Sequence, residues 1–406
     1  MKRINWLAIA ALLSLINIAV IGQNLVKYSI ENPNDFKIID AFIQIKIEDE
    51  LRPLRLFKGD NEIPYQLIQS DNGKEICFVL DLTAKEKIEL KIQKAAPDDV
   101  LKFQSRTYAE LAMKTGNVYY DKRFRGDRFE NVIKIKVPEI HTDHDALFKY
   151  EGPGWESEKV GYRFYLDWRN ATDIFGKKVN ELVLQKVGVT DTVAKDDSYH
   201  SMQEWGMDIF KVGKTLGIGS IGMMNNSKVV MVSKTDSIYC EISENGPIRS
   251  KVTTDYFGWK VGEKSYNLKS DISITAGSRL TNVRLSISEG ADNLVTGFAK
   301  YVGTTFSKSD LSNEWSFISL YGNQTLVNEN DKLGIAVFFK SSQLIALTED
   351  DINHIVKLKP INGAVEYYFA AAWEQERNGI KNEKEFIEYL NKTLKMLNNP
   401  IIVKQN

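Results

Sequence analysis

Four histidines, His141, His144, His200 and His354, limit where imidazole chemistry can occur in this 406-residue chain. Imidazole exchanges its proton nearest neutrality, so a general base or acid is sought first among these four. The stretch from 198 to 222, SYHSMQEWGMDIFKVGKTLGIGSIG, gathers Tyr199, His200, Glu204, Trp205, Asp208 and Lys211. His200 beside Tyr199 is the leading acid–base pair. The run His141-Thr142-Asp143-His144-Asp145 packs four metal-ligating side chains into five residues after Pro138. In such a loop His141, Asp143 and His144 are candidate ligands for a divalent metal, and His144 is also a second candidate base. The same run is equally at home as substrate contact or solvated loop.

The stretch from 150 to 177, YEGPGWESEKVGYRFYLDWRNATDIFGK, is the most unusual in the chain. A strand over 160–167 would put Val160, Tyr162, Phe164 and Leu166 on one face and Arg163, Tyr165 and Asp167 on the other. The second row sets a cation, a phenol and a carboxylate about 7 Å apart. Trp155 and Trp168 point to sugar stacking, since an indole face covers a pyranose ring while polar neighbours orient its hydroxyls. Trp205 and Trp259 are further stacking candidates. The locally basic run from Tyr119 to Arg128 interleaves aromatics with Arg123 and Arg125, a pattern able to receive an acidic sugar.

Two nucleotide motifs fail on context. Gly217-Ile218-Gly219-Ser220-Ile221-Gly222 matches the dinucleotide fingerprint by letter, yet Met-Met-Asn-Asn-Ser follows it instead of a helix. A glycine-rich turn where backbones pass closely explains it better. Gly213-Lys214-Thr215 resembles the end of a phosphate loop, but Asp208 stands where that loop needs its first glycine.

The elements that must position these residues read as strands. Segments 37–47, 75–82 and 87–92 are short, rich in Ile, Val and Phe, and separated by turn-formers such as Asp71-Asn72-Gly73. They predict an N-terminal β-sandwich over 24–97. Further strands at 132–137, 160–167, 228–235, 265–274, 279–287 and 332–339 predict a large antiparallel sandwich over 98–406. One helix is expected: Asn382 caps a run whose Phe386, Ile387, Leu390, Leu394 and Leu397 recur at helical spacing. The fold expectation is therefore all-β with a C-terminal helix.

Composition narrows the function further. With 53 Lys and Arg against 54 Asp and Glu, the net charge of −1 gives no footing for nucleic-acid binding. Two cysteines, Cys77 and Cys240, make neither a disulfide scaffold nor a four-thiolate zinc site. Residues 1–23 read as a secretory signal: Lys2 and Arg3, then an apolar run from Trp6 to Ile21, then Gly22-Gln23. A periplasmic or secreted protein, free of the membrane once the signal is cleaved, is expected.

YEGPGWESEKVGYRFYLDWRN, HSMQEWGMDIFKVGKTLGIGSIG and YYFAAAWEQE together resemble an exported Bacteroidetes family long catalogued as a domain of unknown function. Its members sit in polysaccharide-utilisation gene clusters for uronic-acid glycans. The resemblance spans roughly 103–398. It implies a mutarotase-like supersandwich and an oligosaccharide dehydratase that eliminates water across C4–C5 of the non-reducing-end uronic acid. It carries over no catalytic residues. The chemistry itself requires a base at C5, an acid for the 4-hydroxyl and a cation on the carboxylate. His200 is taken as base, Tyr165 or Tyr199 as acid, and Arg163 or Arg123 as the cation, with a divalent metal as an optional aid. The alternatives are a non-catalytic glycan-binding protein, a polysaccharide lyase, or a glycoside hydrolase using carboxylates such as Asp167, Glu204 and Asp208.

Overall fold

Alternation of side chains decides the layers. Along the Lys332–Lys340 strand, Leu333, Ile335, Val337 and Phe339 enter one apolar core while Ala336 and Phe338 enter another. A strand buried on both faces belongs to the centre of a sheet. The computed structural model, which describes residues 26–47, 53–70, 73–96, 101–188 and 198–406, places it there. The segment read as a signal and the 97/98 boundary lie outside these residues.

The fold is all-β and antiparallel, with one α-helix among the described residues. A nine-stranded sheet forms one layer. It runs in the order Lys134–Lys136, Ser237–Asn245, Arg249–Val261, Lys264–Thr275, Leu280–Ile287, Ala364–Trp373, Lys332–Lys340, Trp315–Asn323 and Thr304–Lys308. Two five-stranded sheets share its main core: Tyr162, Phe164 and Ile174 from one, and Phe298, Val356 and Leu358 from the other, meet Tyr256, Val283, Phe369 and Ile335. On the reverse side lies the Glu383–Asn398 helix, which buries Phe386, Leu390 and Leu394 against Trp315, Phe317 and Phe338. Asn382 caps it as the sequence predicts, its Oδ1 accepting from the Glu385 amide at 3.0 Å.

The N-terminal strands make a smaller pair of sheets around Ile30, Ile43, Leu56, Phe78 and Leu90. One of them is completed by the chain's far end, since Ile402–Gln405 pairs with Val26–Glu31. Arg106 ties this region to the rest, donating to both Asp40 oxygens at 2.7 and 2.8 Å and to Glu158.

One sheet positions the site. Its order is Thr107–Glu110, Gly154–Ser157, Gly161–Phe164, Thr172–Lys177 and Gly206–Asp208, each strand antiparallel to the next. Trp155, Tyr162, Phe164, Ile174 and Met207 face the main core. The opposite face follows from the register. Asp173, Arg163, Gly154 and Glu110 lie in one row, and Asp208, Phe175, Gly161, Glu156 and Tyr108 in the next. Lys177 continues that face, so seven ionisable side chains share one side of one sheet, and all are buried. Gly154 is required here: a Cβ would sit 2.6 Å from the hydroxyl of Tyr150, which crosses the sheet to reach Glu110 at 2.6 Å.

Val183, Leu184, Val187 and Tyr199 cover this charged face. The cover is pinned by charge. Lys177 Nζ donates to Glu156 Oε2 at 2.6 Å, and Glu156 Oε1 accepts the backbone amides of Val183 and Leu184 at 2.7 Å each. Lys149 Nζ donates to the Leu184 carbonyl at 2.8 Å. Burial pushes the Glu156 carboxyl up against the pull of Lys177. Lys177→Met is therefore expected to destabilise the fold by about 3 kcal/mol, because it strands a buried carboxylate. Adding Glu156→Gln should recover more than half of the loss in urea denaturation. A Lys177→Met variant as stable as the native protein would contradict this assignment.

Candidate functional site

Arg163 sits at the middle of the charged face with 3% of its side chain exposed. Its donors are all directed inward. Nε and Nη2 meet Asp173 Oδ2 at 3.1 and 2.8 Å, Nη2 meets Asp208 Oδ2 at 2.5 Å, and Nη1 donates to the Tyr199 hydroxyl at 3.1 Å. Glu151 Oε2 lies 3.9 Å away. The rings of Tyr165, Phe175 and Tyr199 surround the guanidinium at 5.0–5.5 Å. Planar donors matched by carboxylates and aromatic faces are the arrangement in which arginine tolerates burial.

Asp173 and Asp208 share that one guanidinium. Burial, then the neighbouring Asp208 charge, pushes the Asp173 carboxyl up to about 6 despite Arg163. Tyr165 donates its hydroxyl to Asp173 and lies between two cations, with Arg169 3.8 Å above its ring. Burial raises this phenol well above its ordinary range. Arg169 in turn binds Asp167 and, at 2.6 Å, Glu151.

The chain of ion pairs emerges at two histidines. His200 Nδ1 lies 3.2 Å from Asp208 Oδ2, with half of the His200 side chain exposed. At the other end, the 71%-exposed side chain of His144 places Nδ1 3.7 Å from Glu151 and 3.5 Å from Asp143. Asp143 also accepts from Trp168 Nε1 at 2.8 Å, holding an indole that is 42% exposed. The site thus has a buried ionic interior and a rim of two imidazoles and one anchored indole.

Several expected roles do not survive this placement. Tyr165 and Tyr199 are buried, Tyr165 donating to Asp173 and Tyr199 accepting from Arg163, so neither phenol lies on the exposed rim. Arg163 spends its donors inside the protein, so it orders carboxylates and is not presented to a ligand. Trp155 is fully buried with Nε1 on Thr281 Oγ1 at 3.0 Å, and Trp259 is fully buried with Nε1 on the Met231 carbonyl at 3.0 Å. Both are core residues because their strands turn those positions inward. Trp205 is half-buried edge-on to Phe175 at 6.0 Å. The His141 side chain is buried and held at 2.8 Å by Asp145, while His144 points outward. Among the described residues no group of three His, Cys, Asp or Glu side chains is arranged to hold a metal, so the expected His141–Asp143–His144 set does not form.

The strand expected over 160–167 stops at Phe164. Asn170 adopts φ 45° and its amide bonds the Asp167 carbonyl at 3.0 Å, so the chain turns and Asp167 pairs with Arg169 instead of extending the row. Asp173 and Glu151 were not singled out in the sequence. Asp173 directly opposes Arg163 across an antiparallel strand pair, a neighbourhood that no local pattern signals. The 217–222 glycines are a close backbone approach as expected: at φ 51°, a Cβ on Gly217 would lie 2.2 Å from the Thr172 carbonyl. The segment after them is a strand, Gly222–Asn225.

A family model described as "Domain of unknown function (DUF4861)" matches residues 30–403. No curated protein matches the chain in sequence. Similar solved structures include a protein of glycosyl hydrolase family 38 and an alpha-mannosidase, both from Enterococcus faecalis. Each is 8% identical, with TM-scores of 0.46 and 0.45. They align over 94% of this chain but 47% and 46% of their own, so the chain spans about half their length. A TPR-domain containing protein from Parabacteroides distasonis is also 8% identical, with a TM-score of 0.24 over 65% of this chain and 54% of its own. Similarity at this level assigns no activity.

The Asp173 carboxyl gives a pH test. Because its folded value lies above the ordinary carboxylate value of 3.8, the native state holds the proton that the unfolded chain releases between about pH 4 and 6. That contribution to stability is complete below the unfolded value and lost as pH rises through about 6. Asp173→Asn removes this slope. The melting temperature of the variant relative to the native protein should climb from pH 4 to pH 6 and level off above pH 7; a flat difference would contradict the assignment.

Proposed function

We propose that this chain, which belongs to the DUF4861 family, removes water from the non-reducing-end uronic acid of acidic oligosaccharides. The carrying observation is His200: a half-exposed imidazole whose inner nitrogen lies 3.2 Å from a buried carboxylate that Arg163 holds in place. A carboxylate behind Nδ1 fixes the tautomer and leaves Nε2 as the proton acceptor. The export expected from residues 1–23 suits such a substrate.

In the proposed reaction Nε2 of His200 takes the C5 proton. The C5–H electron pair forms the C4–C5 double bond, the C4–O bond breaks, and the hydroxyl leaves with a donated proton as water. His144 is the second exposed imidazole and serves as that donor. Arg123 is exposed on the Arg123–Arg125 strand, whose Phe124 amide bonds the Asp145 carbonyl at 2.6 Å beside His144. It is assigned to the substrate carboxylate, whose charge must be offset before C5–H becomes acidic. Trp168, held by Asp143, offers the exposed ring face for the sugar, in place of the buried Trp155.

Incubation with uronate-terminated oligosaccharides is expected to give new ultraviolet absorbance and loss of one water per uncleaved chain. His200→Ala should lower that turnover by on the order of 10²- to 10⁴-fold. Its melting temperature should stay unchanged, because His200 lies at the rim. Unchanged turnover would sink the assignment of the base, and a cleaved product would replace the dehydratase with a lyase.

A further inference from the structure

The hairpin that carries Arg123 also presents side chains that the proposed reaction does not use. Val118–Tyr120 pairs with Arg123–Arg125 through a two-residue turn, with Asp121 and Lys122 both left-handed at φ 50° and 58°. Tyr119 and Phe124 point inward, their ring centroids 5.0 Å apart with the planes tilted by 60°, and Phe124 joins the main core. Their alternates Val118, Tyr120, Arg123 and Arg125 point outward together. Tyr120 is 71% and Val118 65% exposed, and both arginines are exposed.

Charge on this face is uncompensated. Arg128 pairs with Glu130, but among the described residues no carboxylate pairs with Lys122, Arg123 or Arg125. Residues 114–136 hold seven Lys and Arg against three Asp and Glu, in a chain whose net charge is −1. This contrasts with the site interior, where every arginine is spent on carboxylates. Tyr120 opposes Arg123 across the hairpin, so a phenol ring lies beside a free guanidinium, with a second guanidinium about 7 Å along the same strand.

We infer that Tyr120, Lys122 and Arg125 form a binding surface for the further anionic residues of an acidic oligosaccharide chain. Aromatic ring and paired cations fit alternating sugar faces and carboxylate or sulfate groups, with guanidinium bonding to each anion. The inference rests on the proposed dehydratase in placing the chain's terminal residue at His200. It adds that the substrate is a chain extending past that residue, so that longer acidic chains are handled better than dimers.

The test compares the native protein with Lys122→Gln/Arg125→Gln, neither residue having a part in the reaction. Electrophoretic retardation is measured in gels containing polygalacturonate, ulvan or neutral dextran, and turnover on uronate chains of two and six residues. The acidic gels should retard the native protein and dextran should not; the double variant should bind about tenfold more weakly. Turnover of the dimer should be unchanged, while the advantage of the hexamer disappears and the native advantage fades at high salt. Equal retardation of variant and native protein, or none of the native protein by either polyanion, would overturn the inference. Retardation lost in the variant without unsaturated product from any chain would sink the dehydratase and leave the binding surface standing.

Discussion

One buried guanidinium organises this protein's candidate site. Arg163 stands on a strand between Gly154–Ser157 and Thr172–Lys177, and its donors hold Asp173, Asp208 and Tyr199 together. Removing a cation from water costs several kcal/mol, recovered only where every donor meets a well-placed acceptor. Its two nearest carboxylates repel each other, and Asp173 answers by holding its proton to about pH 6. Everything nearer the surface is arranged around that compromise. His200 borrows its orientation from Asp208, and Glu151 links Arg163 to Arg169 and His144.

The same face carries a second buried network, Glu110 with Lys149, Tyr108 and Tyr150, beside the Glu156–Lys177 pair. The two networks meet through Tyr150, Phe175 and Tyr199, whose rings pack edge to face. A cavity of about 300 Å³ lies along the Glu110 network, lined also by Phe129, Asn131 and Gln185. A sheet with an ionic outer face needs a cover, and Val183, Leu184, Val187 and Tyr199 supply it, the Leu184 carbonyl accepting from Lys149 and the Val183 amide donating to Glu156. Polar residues here define one arrangement of the cover, since a shifted strand would leave charges unpaired.

Much of the architecture was legible in the sequence because period-two alternation and turn residues act locally. The strands at 264–275, 280–287 and 332–340 and the Asn382-capped helix lie close to where their patterns placed them. The opposition of Arg163 to Tyr162 and Phe164 followed from the same alternation. What the sequence hid depends on which strands become neighbours. Trp155 and Trp259 carry the residue type of a sugar platform, yet both point into the core between sheets. Asp173 and Glu151 matter only because antiparallel pairing and the Asp167–Asn170 turn bring them to Arg163 and Arg169. The metal-like run at 141–145 is divided by conformation: His144 sits at φ 59° and turns outward while His141 turns in. The pairing of Ile402–Gln405 with the first described strand joins residues more than 370 positions apart, beyond any local signal.

The most direct measurement is urea denaturation of Arg163→Met alone and combined with Asp173→Asn. Loss of the cation leaves two buried carboxylates facing each other, so the single variant should lose about 3–5 kcal/mol of stability. Neutralising Asp173 removes one of those charges, and the double variant should regain a substantial part of the loss. A single variant as stable as the native protein, or no recovery in the double variant, would show that the buried cation does not organise the charged face.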